Sequence, residues 1–368
     1  MRKERPTPHA GGCTLDLPTG LRSSFFGRSS VKHVACSLLL VFAFSASAQR
    51  SRFTGLQVPP ADSTGYYRIL IGGHFHGEST NRSGYPASTL LANLDTINSL
   101  GANLFLSTGD LFMDAEKDRE RYERAFFSKL KVPFFNAPGN HDLAGAVGDE
   151  VVEMGRIQCG TDIILILNTE VNDGSLSKRS IDQLQAIIAP PSDSASARVI
   201  IISHRPIWAE DDPQYSDLFK DNTRSLTGTN FEKDVYPILE KIAEHAHLYW
   251  ISGSLGGQAP SSIFFQQHAP NITFIQCAIR DEPRDALLIA DVYPDSVHWS
   301  ALSLTGQALK APETYDAAWW RKQTGRGESF NWRLLPYMIK TTVTHAAFWW
   351  GAAFALVLVF MVRRFLRR

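Results

Sequence analysis

Histidine, carboxylate and amide side chains follow several apolar runs of this sequence, at the points where those runs end. His74 and His76 stand one residue apart after the run Ile69-Leu70-Ile71 and two glycines. Four more polar clusters follow later runs: Gly109-Asp110, Gly139-Asn140-His141-Asp142, Ser203-His204-Arg205 and Gly253-Ser254-Leu255-Gly256. Imidazole nitrogens together with carboxylate oxygens suit divalent transition metals. The spacing therefore predicts a metal site, provided that the chain brings these runs together.

The strands and helices predicted between residues 64 and 305 would bring the ends of these runs together. Strand-like runs such as "YYRILIGG", "NLFLSTGD" and "RVIIISHRP" alternate with helical patterns such as "ASTLLANLDTINSLGA" and "FEKDVYPILEKIAEHA". This alternation predicts an α/β domain with a largely parallel sheet covered by helices. The later runs "SIFFQQ", "ITFIQCAI", "ALLIADVY" and "SVHWSALSL" are all strand-like and predict antiparallel pairing. Functional loops gather at the carboxyl ends of the strands in such folds.

Composition agrees with a globular domain. The chain has 368 residues, no net charge, 44% hydrophobic residues and 20% charged residues. A balanced charge gives no reason to expect a nucleic-acid partner. The sequence leaves the oligomeric state open.

The ordered set "GD", "PGNHD" and "SHRP" resembles the calcineurin-like metallophosphoesterases, whose pattern is D-x-H, G-D, G-N-H-D/E, a lone His and G-H-x-H. The resemblance covers residues 64–305. It implies an α/β (α+β) fold, namely a four-layer αββα sandwich of two mixed sheets. It also implies hydrolysis of phosphoesters, monoesters or diesters, at two divalent ions.

The resemblance also implies roles for single residues. Asp110 matches the carboxylate that bridges both ions, and His76 matches a ligand of the first ion. Asn140 and His204 match ligands of the second ion. His141 matches the residue that steadies the transition state and protonates the leaving group.

Two further residues are predicted to support catalysis. Asp142 resembles a carboxylate that orients His141. Arg205 follows His204 directly, and it would either clamp a phosphate oxygen or form a salt bridge with a nearby acid.

This sequence departs from the family pattern at three positions. His74 stands where the family has its first Asp, and Ser254 and Gly256 stand where it has the two last histidines. His74, His76 and Asp110 would form a two-histidine, one-carboxylate set for one ion, and the remaining residues a weaker second position. We expect one or two ions, with manganese, zinc or iron favoured over magnesium.

The lost histidines leave an alternative open. The protein would then be a weakly active or inactive relative that binds a phosphorylated envelope ligand or a protein partner without turnover. A structural or assembly role is a third hypothesis, because the stretch "YDAAWWRKQTGRGESFNWRLLPYM" could dock a partner or lie at a membrane surface.

Both ends of the chain carry targeting signals. Residues 31–48 end in Ala-Ser-Ala and predict a signal peptide. The basic leader, residues 1–30, precedes it, and translation starting at Val31 would explain this order. Residues 306–340 are predicted to be an aromatic linker, residues 341–362 a transmembrane helix, and residues 363–368 a basic cytoplasmic tail. The domain would thus be membrane-anchored by a single pass and extracytoplasmic.

The remaining cysteines and histidines carry weaker signals. Cys159 and Cys277 either form a disulfide or pack as free thiols. His245 and His247 precede a strand and should lie at the end of the domain opposite the site. His268 lies between two late strands and could fold back toward the site.

Overall fold

The structure, a computed structural model, describes residues 50–143, 153–188, 198–209, 212–219, 228–323, 339, 342–343 and 346–367. The predicted leader and signal peptide lie outside the described residues. The strands are β1 (Tyr67–Gly72), β2 (Leu104–Ser107), β3 (Phe134–Asn136), β4 (Met154–Cys159), β5 (Asp162–Leu167), β6 (Arg198–Ser203), β7 (His247–Ser252), β8 (Ile263–Ala269), β9 (Ile272–Cys277), β10 (Ala286–Val292) and β11 (Val297–Ser303).

These strands form two mixed sheets. The first sheet has the order β11-β10-β1-β2-β3, and the second has the order β4-β5-β6-β7-β9-β8. Strands β1, β2 and β3 are parallel, as are β5, β6, β7 and β9, whereas β10, β11, β4 and β8 pair antiparallel with their neighbours. The predicted parallel core is therefore confirmed, and of the late strands β8, β10 and β11 pair antiparallel, whereas β9 also pairs parallel with β7.

The helices lie between the strands, as the alternation predicts. They are α1 (Ser88–Ala92), α2 (Leu94–Ser99), α3 (Ala115–Ala125), α4 (Lys178–Ile188), α5 (Ser216–Phe219), α6 (Tyr236–Ala243), α7 (Ala317–Gln323) and α8 (Ala346–Leu366). The first helical pattern is split at Asn93, whose side-chain amide donates to the carbonyl groups of Thr89 and Leu304. A π-helical turn, Phe231–Val235, precedes α6. The 3₁₀ turns span Phe127–Lys129, Asn172–Gly174 and Pro312–Thr314.

Alternate residues of the first sheet are buried on opposite faces. Ile69 and Ile71 of β1 belong to the large apolar core shared with the second sheet, whereas Leu70 packs into the core beneath α1, α2 and α3. Successive strand residues point to opposite faces, so a strand buried on both faces is a continuous apolar run. Helices α4 and α6 contact each other, and α6 packs on β7 and β9. The layers form the predicted four-layer sandwich, and the predicted fold class is confirmed.

The packed domain extends past the predicted limits of 64 and 305. Ser51 donates a hydrogen bond to the carbonyl of Phe134 at 2.6 Å, before the predicted start. After the predicted end, Trp320 is fully buried and donates from its indole to the carbonyl of Ile263 at 3.1 Å. Part of the segment predicted as a linker is thus packed on the sandwich, which removes Trp320 from any partner-docking surface.

The C-terminal helix lies close to the predicted membrane span, and the two remaining cysteines lie in the core. Helix α8 is long and apolar enough to cross a membrane, and it begins and ends a few residues later than the predicted 341–362. Cys159 and Cys277 are both buried, free thiols, so the disulfide alternative is wrong for this structure.

Candidate metal centre

The polar clusters converge at the carboxyl ends of β1, β2, β3, β6 and β7. The backbone N–H of His74 donates to the carbonyl of Gly109 at 2.8 Å, which joins the ends of β1 and β2. The imidazole Nδ1 of His204 contacts the carbonyl oxygen of Thr108 at 2.8 Å and joins the second sheet to the first. The N–H of Gly253 donates to the carbonyl of His204 at 2.9 Å and adds the end of β7. The crevice predicted from strand order is therefore present.

The carboxylate of Asp110 lies at the centre of this crevice. Its Oδ2 atom lies 3.4 Å from Nε2 of His74, 3.7 Å from Nε2 of His76 and 3.4 Å from Nε2 of His204. Its Oδ1 atom accepts the backbone N–H of His141 at 3.1 Å. Three imidazole nitrogens thus face one carboxylate oxygen, each farther away than a normal hydrogen bond.

The possible ligands form two groups that share Asp110. One group is His74, Asp110 and His204, and the other is His76, Asp110 and His141; within each group the ligand atoms lie within 4.8 Å of one another. The sequence had instead placed His74 beside His76 on one ion and His204 with Asn140 on the other. It had also given His141 a role in proton transfer rather than in ligation.

Backbone carbonyl groups fix two of the rings. Nδ1 of His204 contacts the carbonyl of Thr108, and Nδ1 of His141 contacts the carbonyl of Met113 at 3.1 Å. An N–H at Nδ1 that donates to a carbonyl leaves Nε2 with its lone pair, which is the form that binds a metal. Neither carbonyl is visible to a motif search, since any residue supplies one.

Asp142 has a different task from the predicted one. Its carboxylate accepts the backbone N–H groups of Asp110, Leu111 and Gly139 at 2.9, 2.8 and 2.9 Å, and the side-chain amide of Asn136 at 3.0 Å. These donors belong to the loops after β2 and β3. Asp142 therefore ties the two loops together, and the ring of His141 is oriented by Met113 instead. We correct the prediction that Asp142 orients His141.

Two glycines leave the space that Asp110 occupies. A Cβ atom on Gly139 would lie 2.1 Å from Oδ1 of Asp110, and a Cβ on Gly109 would lie 2.7 Å from Nδ1 of His204. Gly109 also has a φ of +94°, which disfavours any other residue. The glycines of the "GD" and "GN" motifs are thus required by close packing around the carboxylate.

Three non-glycine residues around the crevice adopt left-handed backbone conformations. The φ angles are +54° at His74, +56° at Asp110 and +35° at Ser254. Such conformations cost about 1–2 kcal/mol each and persist where the surrounding structure enforces them. At Asp110 the conformation turns the chain so that its side chain faces the three histidines.

Burial and charge set the protonation of the centre. Burial lowers the pKa of His74 well below its usual value, so this ring is neutral at neutral pH. Burial alone would raise the pKa of Asp110, but the neighbouring histidines, His204 foremost, outweigh it and hold the pKa below its ordinary value. An ionised carboxylate beside the neutral ring of His74 is a protonation state that metal binding requires.

The residues present fit a transition metal. Among the described residues, Nε2 of His76 and Nε2 of His204 are buried and have no hydrogen-bond partner. Buried polar atoms are normally paired. Two such nitrogens beside an ionised carboxylate form a nitrogen-rich donor set that suits zinc, manganese or iron better than magnesium.

Asn140 and Arg205 are the two remaining residues that the sequence predicts for the site. Asn140 is half-buried in the turn that follows Gly139, next to the N–H of His141 that binds Asp110. Arg205 is only 2% exposed, and its Nε lies 4.0 Å from Oε1 of Glu170. The salt-bridge role predicted for Arg205 is present at this distance, and the phosphate clamp stays a prediction.

The loop from Gly253 to Gly256 is anchored by residues that the sequence analysis missed. The amide of Gln276 donates to the carbonyl groups of Gly253 and Ser254, and Nη1 of Arg280 donates to the carbonyl of Leu255 at 3.1 Å. Neither Ser254 nor Gly256 offers a nitrogen ligand. The only signal for Arg280 in the sequence is its position after a strand-like run.

The other histidines lie away from the centre. His268 lies between two tyrosines, with Nδ1 at 2.7 Å from the hydroxyl of Tyr215 and Nε2 at 3.1 Å from that of Tyr236. His245 and His247 are exposed, and His247 begins β7, whose opposite end at Ser252 lies at the site. His268 therefore does not replace the lost histidines.

Comparisons with known proteins add a likeness in fold. No protein-family model matches this chain, and no curated protein sequence matches it. Among solved structures it is similar to purple acid phosphatase PPD1 from yellow lupin (Lupinus luteus) seeds, with 10% identity and a TM-score of 0.46, over 69% of this chain and 54% of the lupin chain. The chain thus spans about half the length of that phosphatase.

Two Vps29 structures are also similar to this chain. A single mutant from Entamoeba histolytica has 12% identity and a TM-score of 0.31, over 64% of this chain and 98% of its own. The protein from Cryptosporidium parvum has 11% identity and a TM-score of 0.28, over 65% of this chain and 98% of its own. Identities this low carry no statement about activity.

Proposed function

We propose that this protein hydrolyses phosphoesters at a metal centre organised by Asp110. The observation that carries the proposal is the pair of ligand groups that share this carboxylate, His74–Asp110–His204 and His76–Asp110–His141. Four histidines from three different strand ends surround one buried acid. A divalent ion held by these residues would act as a Lewis acid on a phosphoryl group and lower the pKa of a water.

His141 is the candidate proton donor in this proposal. It is half-buried, whereas His74, His76 and His204 are buried. A leaving group at the mouth of the crevice would therefore meet His141 first. The carbonyl of Met113 holds its Nδ1, so Nε2 is the atom that would donate to the departing oxygen, and it could do so only when the ion at this position is held by His76 and Asp110 without His141.

The proposal can be tested with the full-length chain purified in detergent. The protein is stripped with a chelator, supplied with Mn²⁺, Zn²⁺ or Fe²⁺, and assayed with p-nitrophenyl phosphate and bis(p-nitrophenyl) phosphate. Asp110→Asn and His141→Ala are each expected to lower kcat by roughly 10²-fold or more. Asn tolerates the left-handed conformation of Asp110, so that variant changes charge without changing the backbone.

His247→Ala is the matched control. It removes an exposed histidine at the far end of β7, roughly 15–20 Å from the site end of that strand by strand rise. We expect wild-type activity from it. Hydrolysis that persists in both Asp110→Asn and His141→Ala would overturn the proposal.

Binding without turnover is the second candidate, favoured by one observation. Ser254 and Gly256 supply no ligand at the positions of the two family histidines. A protein of this kind would bind metal and inorganic phosphate but release no nitrophenol in the same assay.

We also propose that α8 anchors the protein in a membrane with the sandwich outside the cytoplasm. The support is the apolar stretch Ala346–Leu366 and the arginines at its end, which by the positive-inside rule remain cytoplasmic. An epitope tag after Arg368 should be inaccessible to antibody until cells are permeabilised. Accessibility in intact cells would contradict this topology.

A further inference from the structure

The loop between β9 and β10 runs beside the loop that carries His74 and His76. The backbone N–H of Ile279 donates to the carbonyl of Gly73 at 3.0 Å, which places Arg280 next to His74 in this pairing of loops. The carboxylate of Asp281 then accepts the N–H groups of Ser88 and Thr89 at 3.1 and 2.9 Å. The path of residues 279–281 along the crevice is therefore fixed at both ends.

The guanidinium of Arg280 contacts the protein through two of its nitrogens, Nη1 and Nε. Nη1 donates to the carbonyl of Leu255 at 3.1 Å, and Nε lies 3.5 Å from Oε1 of Glu282. Nη2 makes no hydrogen bond to any residue in the described ranges, and 14% of the side chain is exposed. The group is thus oriented by the protein and retains donors for a ligand.

Arg280 is anchored at the loop where this sequence lacks the two last histidines of the family pattern. Leu255, its anchor, lies between Ser254 and Gly256, the two positions that lack histidines. Arg205, by contrast, is 2% exposed and lies beside Glu170.

We infer that Arg280 is a substrate-binding residue that donates from Nη2 to a non-bridging phosphate oxygen of the phosphoester. The inference rests on the proposed function and adds to it a recognition residue outside the metal-ligand set. A guanidinium stays charged at all relevant pH values and presents its donors in a planar fork that matches a phosphate edge.

Binding of inorganic phosphate tests the inference without requiring turnover. Isothermal titration calorimetry is performed on the full-length, manganese-loaded protein in detergent. Arg280→Gln is expected to raise the Kd for phosphate roughly 10- to 100-fold, the range for losing a charged hydrogen bond. Arg280→Lys keeps the positive charge but lacks the planar fork of donors. It should raise the Kd for phosphate less, about threefold to tenfold.

Arg284→Gln is the matched control. Arg284 has the same 14% side-chain exposure and the same partner, Glu282, but it donates to the carbonyl groups of Gly256 and Ser261. Its loss removes the same charge and loosens the same loop, and the Kd should change less than about threefold. Melting temperatures of all variants exclude unfolding as the cause.

The outcomes separate this inference from the proposed function. Equal loss of phosphate affinity in the Arg280→Gln and Arg284→Gln variants, unchanged affinity in Arg280→Gln, or no phosphate binding by the wild type would overturn the inference. Absence of hydrolysis by a wild-type protein that binds phosphate through Arg280 would overturn the proposed function alone.

Discussion

Nε2 of His204 lies 3.4 Å from Oδ2 of Asp110, and the two residues belong to different sheets. Asp110 follows β2 of the first sheet, whereas His204 follows β6 of the second. The contact therefore forms only when the two sheets pack face to face. The group His74–Asp110–His204 of the candidate metal centre therefore requires both sheets, whereas His76, Asp110 and His141 all follow strands of the first sheet.

Substitution of Gly139 tests the close packing around Asp110. A Cβ there would lie 2.1 Å from Oδ1 and 2.5 Å from the backbone nitrogen of Asp110, so Gly139→Ala must displace the carboxylate or the loop. We expect the free energy of unfolding to fall by about 1–3 kcal/mol and metal content to fall with it. Calorimetry and elemental analysis measure the two effects.

Gly155→Ala is the control for that substitution. A Cβ on Gly155 would make only an ordinary contact, 3.7 Å from Cβ of Ile166. Stability should change by less than about 0.5 kcal/mol. Equal effects of the two substitutions would show that the site loop tolerates a side chain.

Stability should depend on pH through Asp285. Burial raises the pKa of this carboxyl from 3.8 to about 6. The folded state thus holds the proton more tightly than the unfolded state, so the contribution is fully present below about pH 4 and is lost as pH rises through 6. Asp285→Asn, which cannot ionise, should lack this loss.

The measurement is the melting temperature of both proteins from pH 4 to pH 7. Relative to that of Asp285→Asn, the melting temperature of the wild type should fall between about pH 4 and pH 6 and stay level above pH 6. A constant difference across the range would mean that the pKa of Asp285 is the same in the folded and unfolded states.

Trp320 tests whether the segment after β11 belongs to the domain. Its side chain is fully buried, so Trp320→Ala should lower the free energy of unfolding by about 3–5 kcal/mol. Trp350 is 77% exposed on α8, and Trp350→Ala should leave domain stability unchanged. Thermal unfolding followed by circular dichroism compares them. If the segment around Trp320 were a linker outside the domain, both variants would have the melting temperature of the wild type.

Much of the fold could be predicted from local patterns. Continuous apolar runs identify β1 and β6 because strands buried on both faces have no polar alternation. Order along the chain then places Asp110, His141 and His204 at strand ends. The split between α1 and α2 could not be predicted, because the cause is a contact of Asn93 with the carbonyl of Leu304, far away in sequence.

The details of the site were less predictable. The grouping of the histidines depends on which carbonyl holds each ring, and Thr108 and Met113 contribute only backbone atoms. The resemblance predicts that Asp142 orients His141, whereas its carboxylate accepts backbone N–H groups of two loops. Arg280 is placed beside the loop of His74 by the hydrogen bond from Ile279 to Gly73, which no local pattern encodes.

The metal content of the wild type and the Asp110→Asn variant tests the central claim most directly. Each full-length protein is dialysed against buffered zinc or manganese, and bound metal per chain is measured by mass spectrometry, with His247→Ala as control. We expect one or two ions per chain in the wild type and in His247→Ala, and less than about a tenth of that in Asp110→Asn. Full metal content in Asp110→Asn, or none in the wild type, would contradict a metal centre built around this carboxylate.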